Sequence, residues 1–73
     1  MNNTMIVKEI RMENTSKGHS KMWIGYLYKD DTVVTEWGKI GYEMQSKEFP
    51  DAGKAFFDKK VKEKEKKGYI IVS

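Results

Sequence analysis

Apolar and polar positions alternate along most of this chain, then switch once to a helical spacing. Residues 7–12, VKEIRM, predict a first strand, after a polar start at residues 1–5 that is expected to be a loose N-terminal end. The stretch from Asn14 to Ser20, NTSKGHS, is a polar loop with Gly18 as its turn residue. Lys21 to Lys29, KMWIGYLYK, predicts a central strand. One face of it carries Met22, Ile24, Tyr26 and Tyr28; the other carries Trp23, Gly25 and Leu27. Asp30-Asp31 is a short turn into a strand from Thr32 to Trp37, so these two strands form a hairpin. Tyr42 to Phe49 alternates more weakly and predicts a further antiparallel strand.

Pro50-Asp51 marks the switch. Proline is tolerated in a first helical turn and aspartate is favoured at its start. A helix is therefore expected from there to about Lys67, closed by Gly68 in the C-terminal glycine position. At about 100° per residue, Phe57, Val61 and Gly53 share a stripe with Ala52 and Phe56 beside them, and Lys60 and Lys64 fall within it. Val61 is the last apolar helical residue, so the final turns are expected to overhang the sheet edge, where lysine stems pack while their charges stay in water. Tyr69 to Val72, YIIV, is too apolar to dangle and predicts a last strand. No repeat or linker interrupts this order. The expected fold is α+β: a small antiparallel sheet of four to five strands with one helix packed across it, forming one domain over residues 1–73.

At 73 residues the chain is near the lower limit for a single self-sufficient core. It has no cysteine, which rules out disulfides and thiolate zinc sites and suits a reducing compartment. No apolar stretch approaches the roughly 20 residues of a membrane span, and the N-terminal residues lack a signal-peptide layout. Asn2-Asn3-Thr4 and Asn14-Thr15-Ser16 match the glycosylation pattern by chance on this view. A soluble cytoplasmic protein is expected, and Met1 with the final strand suggests a complete domain.

Net charge is +3, and its distribution is more informative than its size. Lys54 to Lys67 holds seven lysines against Asp58, Glu63 and Glu65, an excess of +4, while the rest of the chain sums to −1. A basic helix of this kind fits a polyanionic partner, or a solvated helix face with no ligand. Catalysis finds no support. The one histidine, His19, has no serine-and-carboxylate constellation; the acids alternate with lysines without metal-ligand spacing; and no P-loop glycine pattern is present. No cofactor, metal or small-molecule substrate is indicated.

Trp37-Gly38-Lys39-Ile40-Gly41 resembles the WGRxG signature of the WGR domain, found in DNA-dependent poly(ADP-ribose) polymerases and in small bacterial proteins. The resemblance extends through Ser20-Lys21-Met22-Trp23, similar to the family's NKxY-like strand start, and through Gln45-Ser46, similar to its GQ segment. Ala55 to Tyr69 looks like the family's helix and its ending, with Lys64 and Tyr69 at its helix lysine and following aromatic. Membership implies a sheet with one helix and a role in binding DNA at breaks. The resemblance further implies that Trp37 packs against the sugar of a terminal nucleotide, with Lys64 and Tyr69 near its 5′-phosphate. In that setting Gly38 lets the backbone approach and Lys39 adds charge, while Lys21 and Lys60 offer further phosphate contacts.

The chain also departs from the family pattern. Lys39 replaces an arginine and loses its bidentate fork. Met44 stands where a glycine is common, and Ser20 where an asparagine is. Activation of a neighbouring domain in cis is not expected.

Two functions follow. One is a non-catalytic module that recognises DNA ends or nicks through Trp37, Gly38, Lys39, Lys64, Tyr69, Lys21 and Lys60, without base specificity. The other is a protein-interaction module that uses the Trp37 surface with Tyr42 or Tyr28 nearby. Trp37 itself stays open between a ligand platform and a strand-end core residue, and Trp23 is read as core. His19, between Lys17 and Lys21, is read as an exposed loop residue.

Overall fold

The computed structural model describes residues 5–73. The expected loose end therefore falls, for residues 1–4, outside the described residues, as does the Asn2 acceptor pattern. Among the described residues five strands form one sheet: β1 (Ile6–Asn14), β2 (Lys21–Tyr28), β3 (Val33–Lys39), β4 (Gln45–Phe49) and β5 (Ile70–Ile71). Their order is β4-β3-β2-β1-β5, and every neighbouring pair is antiparallel. One helix, α1 (Gly53–Lys66), packs over β2 and β3. This is the α+β architecture that the hydrophobic pattern predicts.

Several boundaries move, each for a local reason. β1 runs to Asn14, so the following loop is shorter than expected and holds a 3-10 turn at Ser16–Gly18. β4 begins at Gln45 and not at Tyr42, because the chain first turns through Gly41 at φ 88°, with the Tyr42 amide donating to the Lys39 carbonyl. Pro50-Asp51 does not start the helix. Asp51 is left-handed at φ 57° and belongs to a turn, and α1 begins at Gly53 after Ala52, which has no side-chain group to cap it. β5 does return to the sheet against Met12 and Glu13, yet Ile70 remains 63% exposed.

Strand register decides what each face carries. Met12, Trp23, Trp37 and Gln45 form one cross-strand row, and Ile10, Gly25, Thr35 and Lys47 the next. Both rows lie on the face that α1 covers. On it Met12, Trp23, Leu27, Val33, Phe57 and Val61 form the core. Gly25 is required there: a β-carbon at this position would come within 2.5 Å of the Trp23 ring and 3.1 Å of Phe57. The same alternation places Lys8, Lys21, Lys39 and Lys47 on the helix-bearing face, and Glu9, Glu13, Glu36 and Glu48 with Arg11 on the open one. On that open face Tyr26 donates a hydrogen bond to Glu36, and burial followed by the Glu36 charge pushes its hydroxyl pKa up. Basic character is thus not confined to the helix segment, as a count along the chain implies. In space, α1 and four strand lysines combine on one side.

Candidate nucleic-acid interface

Trp37 occupies the end of the core row. Its direct partner Trp23 is buried beneath α1, whereas Trp37 is half-buried, packed against the core yet bordering open space. The next position on the same face pairs Lys21 with Lys39, so an aromatic surface and two cations stand side by side at the strand ends. Gly38 points to the opposite face. A β-carbon there would come within 3.2 Å of the Glu43 carbonyl oxygen and 3.3 Å of the Met44 Cα. Its small size therefore serves the turn that returns to β4.

The close of α1 supplies the other half of the site. Gly68 is left-handed at φ 99°; the Tyr69 amide donates to the Lys64 carbonyl and the Gly68 amide to that of Glu65. These two bonds are the Schellman pattern, which folds the residue after the glycine back over the helix one turn earlier. Lys64 and Tyr69 meet for this reason, with the lysine Nζ 5.4 Å from the tyrosine ring centroid. Asn14, buried at the end of β1, ties this helix end to the sheet. Its side-chain nitrogen donates to the Lys67 carbonyl at 3.1 Å, while its oxygen accepts from the Ser16 amide and hydroxyl. The last turns thus project over the strand ends, not over the lateral edge.

A groove of about 640 Å³ lies between these two halves. Trp37, Gly38, Lys39, Lys64, Tyr69 and Lys21 all line it, so six of the seven expected site residues converge. Lys60 does not. One turn back on α1, it sits over Phe56 at 5.3 Å and pairs with Glu63 at 3.8 Å. His19 is exposed, as expected, and also borders the groove. Tyr28, by its register, lies on the opposite face of the sheet from Trp37 and cannot share a surface with it. Tyr42 is 67% exposed beneath the Lys39 ammonium, 4.8 Å from its ring centroid.

Among the described residues no carboxylate lines this groove. Burial, and then the nearby charges of Lys67 and Lys60, hold the Lys64 ammonium below the ordinary lysine range; Lys21 adds to this and Glu63 opposes it. A half-buried cation among other cations is unfavourable on its own, and a bound anion relieves it. The negative end of the α1 dipole is offset by Lys64 and Lys66 in its last turn.

Asn14 and Lys67 are the residues that sequence reasoning missed. Asn14 reads as a loop residue or a chance glycosylation site, although its side chain is one of the few buried polar ones. Lys67 reads as one more helix lysine. Their link spans 53 positions and leaves no local signal.

Comparisons with curated proteins and with solved structures give no match. A family model described as the WGR domain matches residues 8–73, which takes in all of β2, β3, β4, α1 and β5 and most of β1. WGR domains are binding domains, generally for nucleic acid, and are not catalytic. With its Trp-Gly-Lys strand end at the groove and the family pattern running through nearly the whole sequence, the chain belongs to the WGR domain family.

Proposed function

We propose that this protein binds DNA at ends or nicks through sugar and phosphate contacts, without base specificity and without catalysis. Trp37 takes the sugar of the terminal nucleotide on its open side, a flat apolar surface that tolerates any sequence. Lys64 and Tyr69 receive the 5′-phosphate, and Lys39 and Lys21 contact the backbone beside it. Lys60 adds charge from the same helix. The absence of cysteine fits action in a reducing compartment such as the cytoplasm.

One observation carries this reading: a half-buried tryptophan shares with Lys21, Lys39, Lys64 and Lys67 a groove that no carboxylate lines among the described residues. Such a cluster raises the local potential, so binding weakens steeply with added salt.

The test is fluorescence anisotropy at several salt concentrations. Its probes are nicked DNA with a 5′-phosphate, the same DNA with a 5′-hydroxyl, an end-blocked duplex, and an RNA counterpart. Tighter binding to the phosphorylated nick, lost in Trp37→Ala and Lys64→Ala, is expected. Equal weak binding to every probe reduces the site to a basic face meeting a polyanion. No binding at low salt removes the nucleic-acid reading and leaves a protein partner on the Trp37 surface.

A further inference from the structure

Trp37 has a groove on either side. The second, about 270 Å³ in volume, runs between α1 and β4 and is lined by Thr35, Trp37, Lys47, Phe49, Lys60 and Lys64 over the buried Trp23. Trp37 and Lys64 border both grooves, so the indole stands as a divider between them.

The chemistry of the second groove repeats that of the first. The ammonium groups of Lys47, from β4, and Lys60, from α1, lie 5.3 and 5.8 Å from the centroid of the same Phe49 ring. Phe49 in turn packs on Phe56 with ring centroids 4.8 Å apart, which fixes an apolar floor under the two cations. Among the described residues Lys47 makes no ion pair, and the only carboxylate near Lys60 is Glu63 at 3.8 Å, which does not line the groove. Cations from two separate elements are thus held together over an aromatic floor with no acid between them. Lys64 completes an arc from one groove to the other.

Resting on the proposed DNA-end function, we propose that the second groove is a phosphodiester subsite. The nucleotide whose sugar lies on Trp37 is then held by a phosphate on each side: its 5′-phosphate between Lys64 and Tyr69, and its 3′ internucleotide phosphate between Lys47 and Lys60. The recognised unit is a nucleoside 3′,5′-bisphosphate within a strand. Charge on both sides of one sugar fixes the polarity of the bound strand without reading any base.

The test replaces the first internucleotide linkage, on the 3′ side of the 5′-phosphorylated terminal nucleotide at a nick, with an uncharged methylphosphonate. Binding is measured by anisotropy for the native protein and for the Lys47→Gln/Lys60→Gln variant, whose fold is checked by circular dichroism. For the native protein the neutral linkage is expected to weaken binding roughly tenfold. The variant is expected to lose a similar factor on ordinary DNA and to be insensitive to the neutral linkage. Its salt slope should fall by about one, for the single phosphate no longer neutralised. Full affinity of the native protein for the methylphosphonate probe overturns the subsite while leaving the 5′-phosphate reading intact. An equal loss in native protein and variant overturns it as well. If the native protein does not distinguish a 5′-phosphate from a 5′-hydroxyl, the underlying function fails first and the subsite with it.

Discussion

Trp23 and Trp37 are direct partners across β2 and β3, with side chains on one face, yet Trp23 is 2% exposed and Trp37 is half-buried. The helix makes the difference, because α1 lies more squarely over β2 than over β3. Two identical residues in one row therefore divide between core and surface.

Their substitutions should separate accordingly. Trp23→Ala should cost about 3–5 kcal/mol of stability, enough to unfold much of so small a domain. Trp37→Phe should leave the melting curve nearly in place and weaken binding to a phosphorylated nick by less than the roughly 1–3 kcal/mol that truncation to alanine removes. Thermal melts followed by circular dichroism, paired with anisotropy, decide this. A large loss of stability in Trp37→Phe would return that residue to the core.

Gly25 lies under the Trp23 ring, and a single added methyl would overlap it at 2.5 Å. Gly25→Ala should destabilise by about 1–3 kcal/mol, since the ring and Phe57 must both shift. Urea unfolding monitored by tryptophan fluorescence would reveal it, and an unchanged midpoint would mean that the ring repacks freely.

The bond from Asn14 to the Lys67 carbonyl links the end of β1 to the end of α1. Asn14→Ala should cost about 1–3 kcal/mol. It should also speed hydrogen exchange at the Gly68 and Tyr69 amides, which donate into the last helical turn. Binding to a 5′-phosphorylated nick should weaken in parallel, because Lys64 and Tyr69 lose their fixed seat. Normal exchange at both amides would show that the Schellman turn holds without the sheet.

Lys64 titrates below the ordinary lysine value of 10.5, chiefly because it is buried and then because Lys67 and Lys60 stand near it. Its folded pKa lies below its unfolded one, so the charged form weakens the fold at neutral pH. That penalty is relieved as pH rises from the folded value towards 10.5. Binding has the opposite sign. A phosphate favours the protonated lysine, so affinity should fall as pH rises through the folded pKa, ahead of any loss from ordinary lysines. Lys64→Arg should abolish this early alkaline step in an anisotropy series, and its persistence would assign the step to another group.

The order of strands, the single helix and its closing glycine are legible in the sequence because they are local properties. Period-two alternation, a change to helical spacing, and Gly68 with Tyr69 just past the helix each need only a few neighbouring residues. The WGR-type turn at Trp37 to Gly41 is equally local, and the family match bears it out. Even so, the sequence misplaces the helix start, because Pro50-Asp51 has the composition of a first turn but bends the wrong way at Asp51.

What the tertiary structure alone decided is which of these pieces meet. Antiparallel register sorts the strand charges, with Lys8, Lys21, Lys39 and Lys47 on the helix side and the glutamates opposite, so a chain of modest net charge acquires a strongly basic face. The placement of α1, more over β2 than over β3, buries Trp23 and leaves Trp37 half-buried. Asn14 reaches Lys67 across 53 positions, and Lys47 meets Lys60 over Phe49. Such contacts join residues with no sequence proximity, through the packing of a helix on a twisted sheet, and no local pattern encodes where that packing ends.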